Sequence, residues 1–80
     1  MVNEIELMHA EDCHLCEQAS EMLNDLGLEF KAIDIASSAE LIEAYGLRIP
    51  VIRVSAQELG WPFDPCDIQA FLSQIDKRAP

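Results

Sequence analysis

Positive charge is the scarcest property of this 80-residue chain: five Lys and Arg stand against fifteen Asp and Glu, a net charge of −10. The first thirty residues carry eight acids and no Lys or Arg. Such a surface repels nucleic-acid phosphates and anionic lipid headgroups, so neither is an expected partner. Long apolar runs are missing too; the longest are a few residues, far short of the ~20 that span a bilayer. The opening MVNEIELMHAED has neither a basic start nor a sustained apolar segment, so no export signal is expected and the reducing cytoplasm is the expected compartment. Repeats, low-complexity tracts and linkers are also absent. Eighty residues leave no room for a second core, so one domain over 1–80 is expected.

Half of the residues are apolar, which is ordinary for a folded domain and too many for a disordered acidic tail. Their spacing alternates between strand and helix periods. Residues 2–9 place Ile5 and Leu7 on one strand face. Leu15, Ala19, Met22, Leu23 and Leu26 then recur at helical spacing, and Gly27 sits where a left-handed cap is wanted. Residues 28–35 read as a second strand. Ser37 with Glu40 reads as the capping box of a short helix that Gly46 stops. Residues 50–54 and 57–59 read as a hairpin, although its connection, Ser55-Ala56, lacks the Gly or Asn of a tight turn. A last helix follows, with Asp64 as N-cap, Pro65 at the first helical position and Asp67 completing the box. Its apolar stripe is Ile68, Phe71, Leu72 and Ile75, and Lys77 and Arg78 suit the dipole at its end. The order β-α-β-α-β-β-α makes the first two strands parallel neighbours and the hairpin antiparallel. The expected fold class is α/β, a four-stranded mixed sheet with helices on both faces.

The chemistry concentrates at Cys13-His14-Leu15-Cys16. A Cys-x-x-Cys pair can clamp a metal, staple a loop or exchange electrons with another disulfide. Three cysteines in a reducing compartment are not a disulfide framework, which leaves catalysis or metal binding. Cys13 falls at the start of the first helix, where unpaired N–H groups and the dipole stabilise a thiolate. Cys16 follows one turn later on the same face, within disulfide reach. That arrangement suits dithiol exchange: Cys13 attacks a substrate disulfide and Cys16 resolves the mixed disulfide. Glu11 and Asp12 oppose it, each costing the thiolate on the order of 1 kcal/mol at an intermediate dielectric. His14, when protonated, and Arg48 would offset that cost, or His14 simply faces solvent. The third cysteine, Cys66, is expected to be a small semi-buried residue of the last helix.

The strand, the Cys-x-x-Cys at a helix start and the later LRIPVI resemble glutaredoxin-like proteins of the thioredoxin fold over nearly the whole chain. CHLCEQA, RIPVI and ELGWPFD narrow the resemblance to a small bacterial glutaredoxin-like group. The resemblance implies a cis peptide before Pro50, packed beside the cysteines, with the backbone of Ile49 offered to an extended substrate. It also implies a thiol–disulfide oxidoreductase in cell redox homeostasis, acting as a monomer on protein or small-molecule disulfides with no required cofactor. Glutathione is the family's usual ligand, and three departures count against it here. Ala10 replaces the Lys that holds its carboxylate, His14-Leu15 replaces Pro-Tyr, and Trp61 fills a glycine position in the groove to which Arg48 would also belong.

Two other readings stand beside the enzyme. One is a zinc or iron–sulfur carrier, although a closed zinc site wants four ligands and no second spaced pair exists. Chains would have to share a cluster, as some glutaredoxins do. The other is a non-catalytic module that binds a partner through Trp61-Pro62-Phe63.

Overall fold

The computed structural model describes residues 4–78. Its elements run β1 (Ile5–His9), α1 (His14–Asp25), β2 (Lys31–Asp34), a 3-10 turn (Ile35–Ser37), α2 (Ala39–Tyr45), β3 (Val51–Val54), β4 (Gln57–Gly60) and α3 (Pro65–Arg78). The order is the one that the spacing predicts; β2 and β3 are shorter than the expected 28–35 and 50–54, and β4 runs one residue beyond the expected 57–59. Val2 and Asn3 of the expected first strand, and the expected dipole role of the Lys77 and Arg78 side chains, lie outside the described residues.

The sheet order is β2-β1-β3-β4. β1 runs parallel to β2, with Leu7 opposite Ala32, and antiparallel to β3, with Leu7 opposite Ile52. β3 and β4 form the antiparallel hairpin, Ile52 opposite Leu59. Side-chain alternation then divides the molecule into two cores. Ile5, Leu7, Ile52 and Val54 face α1 and α3, meeting Ala19, Leu23, Phe63 and Ile68. Met8 and Val51 face the other way and join Ile35 and Tyr45 under α2.

Local signals account for the helix ends. α1 closes in a Schellman motif: Leu28 N–H donates to Leu23 O and Gly27 N–H to Asn24 O, both at 3.0 Å. The motif needs a left-handed residue, and Gly27 supplies it at φ 72°. α3 opens on a reciprocal box. Asp67 N–H donates to Asp64 Oδ1 at 2.8 Å, and Asp64 N–H to Asp67 Oδ2 at 3.0 Å. α2 differs from expectation: its cap is Ser38, whose Oγ accepts from Glu40 N–H at 3.2 Å. Ser37 instead ends the 3-10 turn, its hydroxyl donating to Asp34 O at 2.7 Å. The hairpin turn lacks glycine, and Ser55 takes the positive φ, 55°, that the first central residue of a type II′ turn requires.

α2 has seven residues and covers only part of its face of the sheet. The remainder carries one cross-strand row of alternating sign: Lys31, Glu6, Arg53 and Glu58, neighbours in register on all four strands. Arg53 Nε donates to Glu6 Oε1 at 2.8 Å and its Nη1 to the Tyr45 hydroxyl at 3.2 Å. That hydroxyl donates to Glu58 Oε2 at 2.6 Å, which ties α2 to the hairpin. The bond to Glu58 and burial hold the Tyr45 phenol above its ordinary value near 10, with Arg53 opposing.

Tyr45 is the only tyrosine, so tyrosinate absorbance reports this group alone. The folded chain keeps its phenolic proton where the unfolded chain has lost it. The stability this contributes is complete below the unfolded value near 10 and is lost as pH rises through the folded value. The titration midpoint of the native protein is therefore expected above 10, falling towards it in Glu58→Gln. A midpoint unmoved by Glu58→Gln would contradict the bond as the main cause.

Candidate active site

β1 delivers the chain to the end of the sheet at His9, and residues 10–12 turn it into α1. Asp12 makes the turn with φ 57°, a left-handed geometry that Asp tolerates better than most residues. Cys13 follows as the N-cap of α1, extended at φ −110° and ψ 101°. Its Sγ accepts from the Cys16 N–H at 3.2 Å, and its carbonyl accepts from Glu17 N–H at 3.1 Å. The sulfur thus takes the position that a serine or aspartate oxygen fills in an ordinary cap. Negative charge on Cys13 would be stabilised there by the same donors and by the helix dipole.

Cys16 lies on the stripe of α1 that also carries Ala19 and Leu23, which turns it towards the sheet. It is 4% exposed, while Cys13 is half-buried. The two are joined as a disulfide across a Cα–Cα distance of 5.2 Å. One sulfur is accessible and the other sheltered behind it, the asymmetry that an attacking and a resolving thiol require.

A cleft of about 270 Å³ opens beside the pair. Small residues keep it open, Ala10 from the loop, Ser20 from α1 and Ala32 from β2, and Glu11, Asp12 and Glu17 give it its charge. Of these only Ala10 stands out in the sequence, as the residue in place of a family Lys; Ser20 and Ala32 do not. Only the β1–β2 register, which sets Ala32 beside Leu7, brings them under the cysteines.

The remaining expected site residues fall in two groups. The register that pairs Met8 with Val51 brings Pro50 level with His9, at the end of the sheet where the cysteine loop begins. Pro50 is buried, Ile49 is half-buried against the smaller core, and the Ile49–Pro50 peptide is cis, as is Trp61–Pro62. Trp61 N–H donates to Pro50 O at 3.3 Å, so Trp61 belongs to the same end of the sheet. Its ring meets Phe63 edge-to-face at 5.0 Å and packs on the larger core, where Phe63 is enclosed beside Ile68. These two aromatic residues seat α3.

His14 and Arg48 stand elsewhere. The His14 side chain is 92% exposed, with Nδ1 3.3 Å from Glu17 Oε2. Arg48 lies over the Tyr45 ring, 5.0 Å from its centre, with Nε donating to Ala44 O at 3.1 Å and Nη1 to Glu58 at 3.4 Å. Neither side chain lines the cleft. Leu15, expected in the core stripe, is 41% exposed, because the buried stripe of α1 runs through Cys16, Ala19 and Leu23 and Leu15 sits about 100° round the helix from Cys16. Cys66 is exposed rather than semi-buried, on the solvent side of the first turn of α3. Among the described residues, no group of three or more His, Cys, Asp or Glu is arranged to hold a metal ion, and no helix is long and apolar enough to cross a membrane.

Comparison with known proteins agrees with this geometry. The family model of the glutaredoxin-like domain (DUF836) matches residues 4–73. Among solved structures, protein XcR50 from X. campestris is 41% identical over 95% of this chain and 99% of its own, with a TM-score of 0.82. Protein Ne2328 from Nitrosomonas europaea is 27% identical over 89% of this chain and 92% of its own, at 0.74. The glutaredoxin (grx-1) from Archaeoglobus fulgidus, 16% identical, covers 89% of this chain and 87% of its own at 0.65, a likeness of fold alone. Among curated proteins, none matches. A thioredoxin-like sheet, a matched family model and a Cys13–Cys16 pair at a helix start together support a thiol-redox type of role, and the chain belongs to the glutaredoxin-like family.

Proposed function

We propose that the protein is a dithiol–disulfide oxidoreductase of the cytoplasm, acting as a monomer in cell redox homeostasis and needing no bound cofactor. In the reduced form the Cys13 thiolate attacks one sulfur of a substrate disulfide. The S–S bond breaks, its other half leaves as a thiolate, and Cys13 is held in a mixed disulfide. Cys16 loses its proton and attacks the Cys13 sulfur, releasing the second substrate thiolate and closing the Cys13–Cys16 disulfide. Two electrons have passed to the substrate, and an external dithiol returns the enzyme to its reduced form. Ile49 and Pro50, at the same end of the sheet, would offer backbone to an extended substrate, and Trp61 would border it.

The observation that carries this reading is the position of Cys13 Sγ, capping α1 and accepting from the Cys16 N–H at 3.2 Å, with Cys16 sheltered behind it. The test is redox titration of the reduced protein with thiol counting and peptide mapping. Two of the three thiols are expected to disappear together as a Cys13–Cys16 linkage, at a potential between about −200 and −270 mV, with Cys66 left free. Both thiols surviving at strongly oxidising ratios would reject the enzyme.

A further inference from the structure

The cleft beside the sulfurs has a one-sided charge. Glu11, Asp12 and Glu17 all line it, and its only other titratable wall, apart from the cysteines, is His9. No Lys or Arg lines it among the described residues. The cations of the described residues stand elsewhere. Arg53 is bonded to Glu6, and Arg48 to Glu58 and Ala44 O. Lys31 stands in the row on the α2 face, while its neighbour Ala32 points into the cleft. All three carboxylate residues are exposed and lie within four positions of Cys13 in sequence, so any molecule that brings a disulfide to Cys13 passes beside them. The asymmetry comes from sheet alternation as well as composition, because the strand pleat sends Lys31 and Arg53 to the face opposite the dithiol, while Arg48, in the loop before β3, is held by Glu58 and Ala44 O.

On this ground, and resting on the oxidoreductase reading above, we infer that the protein selects disulfides that carry positive charge next to their sulfurs and discriminates against glutathione. Oxidised glutathione is a dianion at neutral pH, and the tripeptide released from it is an anion. Both its approach and its mixed disulfide on Cys13 meet the field of Glu11, Asp12 and Glu17. A disulfide flanked by amines meets the same field with the opposite sign. The exchange chemistry is unchanged; what differs is the rate of encounter and the stability of the mixed disulfide.

Three small disulfides, each rate divided by the rate of the same disulfide with free mercaptoethanol to remove leaving-group differences, separate charge from chemistry: the dication cystamine, neutral hydroxyethyl disulfide and dianionic oxidised glutathione. Stopped-flow oxidation of the reduced protein is expected to run in that order. Cystamine should exceed oxidised glutathione by about tenfold or more at ~10 mM ionic strength, and the ratio should shrink by ~0.5 M salt as screening tightens. A cyclic peptide with lysines flanking its disulfide, paired with its glutamate counterpart, tells whether polypeptides obey the same order. A lysine preference in the peptides assigns the selection to protein disulfides, and a preference confined to cystamine assigns it to small amines.

In a variant combining Glu11→Gln, Asp12→Asn and Glu17→Gln, rates divided by the hydroxyethyl disulfide rate are expected to converge. The division removes any change in Cys13 thiolate content, and asparagine tolerates the positive φ of residue 12. Equal or faster reaction with oxidised glutathione, or a charge order that survives the triple substitution, overturns the inference and leaves the oxidoreductase standing. No reaction with neutral hydroxyethyl disulfide overturns both.

Discussion

Cys13→Ser is expected to lower disulfide-exchange turnover by about a thousandfold or more, because a serine hydroxyl is not a nucleophile towards sulfur at neutral pH. Loss of structure is not an available explanation for that result. Cys13 is the N-cap of α1, and serine is among the best residues at that position, its oxygen replacing the sulfur as acceptor for the Cys16 N–H. Cys16→Ser should behave differently. The attacking sulfur remains, so one substrate molecule is captured and then held, since nothing resolves the mixed disulfide. Mass spectrometry of the two variants after exposure to a small disulfide should show an adduct on Cys13 in the second and none there in the first. An adduct at the exposed Cys66 in both variants is a control for ordinary thiol chemistry. Turnover by Cys13→Ser at the wild-type rate, or attachment to residue 16 first, would reverse the assigned roles.

The largest expected effect on stability is at Ile52. It is 0% exposed at the middle of the sheet, between Leu7 on β1 and Leu59 on β4, and packs into the core that α1 and α3 share. Truncation to alanine leaves a cavity that a central strand cannot collapse to fill, a cost of about 3 kcal/mol. A domain of this size has only some 4–12 kcal/mol of stability in all, so the loss is a large share of it. The melting temperature should drop by about 12–24 °C. Ile42→Ala provides the contrast: that side chain is 49% exposed on α2, and its loss should stay within about 0.5 kcal/mol. Thermal melts of both variants, compared under the same redox conditions, check the difference. Equal shifts would mean that Ile52 is not enclosed in the core as described.

Much of this could be read before any coordinates, because the signals that mattered are short-range. Helical spacing from Ala19 to Leu26, Gly27 after it, and Asp64 with Asp67 flanking Pro65 each specify a local geometry that the neighbouring residues do not contest. The cysteine pair was legible for the same reason, its function depending on one turn of helix. What could not be read depends on partners remote in sequence. Helical spacing puts Leu15 in line with Ala19, but only the position of the sheet decides that the buried face runs through Cys16 and leaves Leu15 at its edge. Ser37 and Ser38 are adjacent and each can cap. The choice falls to Ser38 because Asp34 claims Ser37 for the 3-10 turn. Arg48 precedes the expected docking segment by one residue, yet it is held by Glu58, ten positions on, which the β3–β4 hairpin brings within reach. The cleft follows the same rule: Ala32 gains meaning only once β2 lies alongside β1.

The alternating row across the sheet has a consequence for how the strands find one another. Sliding β3 along β1 by two residues is the smallest shift that leaves Ile52 and Val54 turned inward. In one direction it sets the Glu6 carboxylate opposite Val51, and in the other it drives the Arg53 guanidinium against Met8, both of them apolar residues closed off from solvent. The first shift takes Arg53 away from Glu6, and the second strands a charge in an oily pocket, at a cost of several kcal/mol. Lys31, Glu6, Arg53 and Glu58 thus behave as the teeth of a lock that admits a single alignment, in a sheet whose strands of four and five residues are too short to enforce it by length.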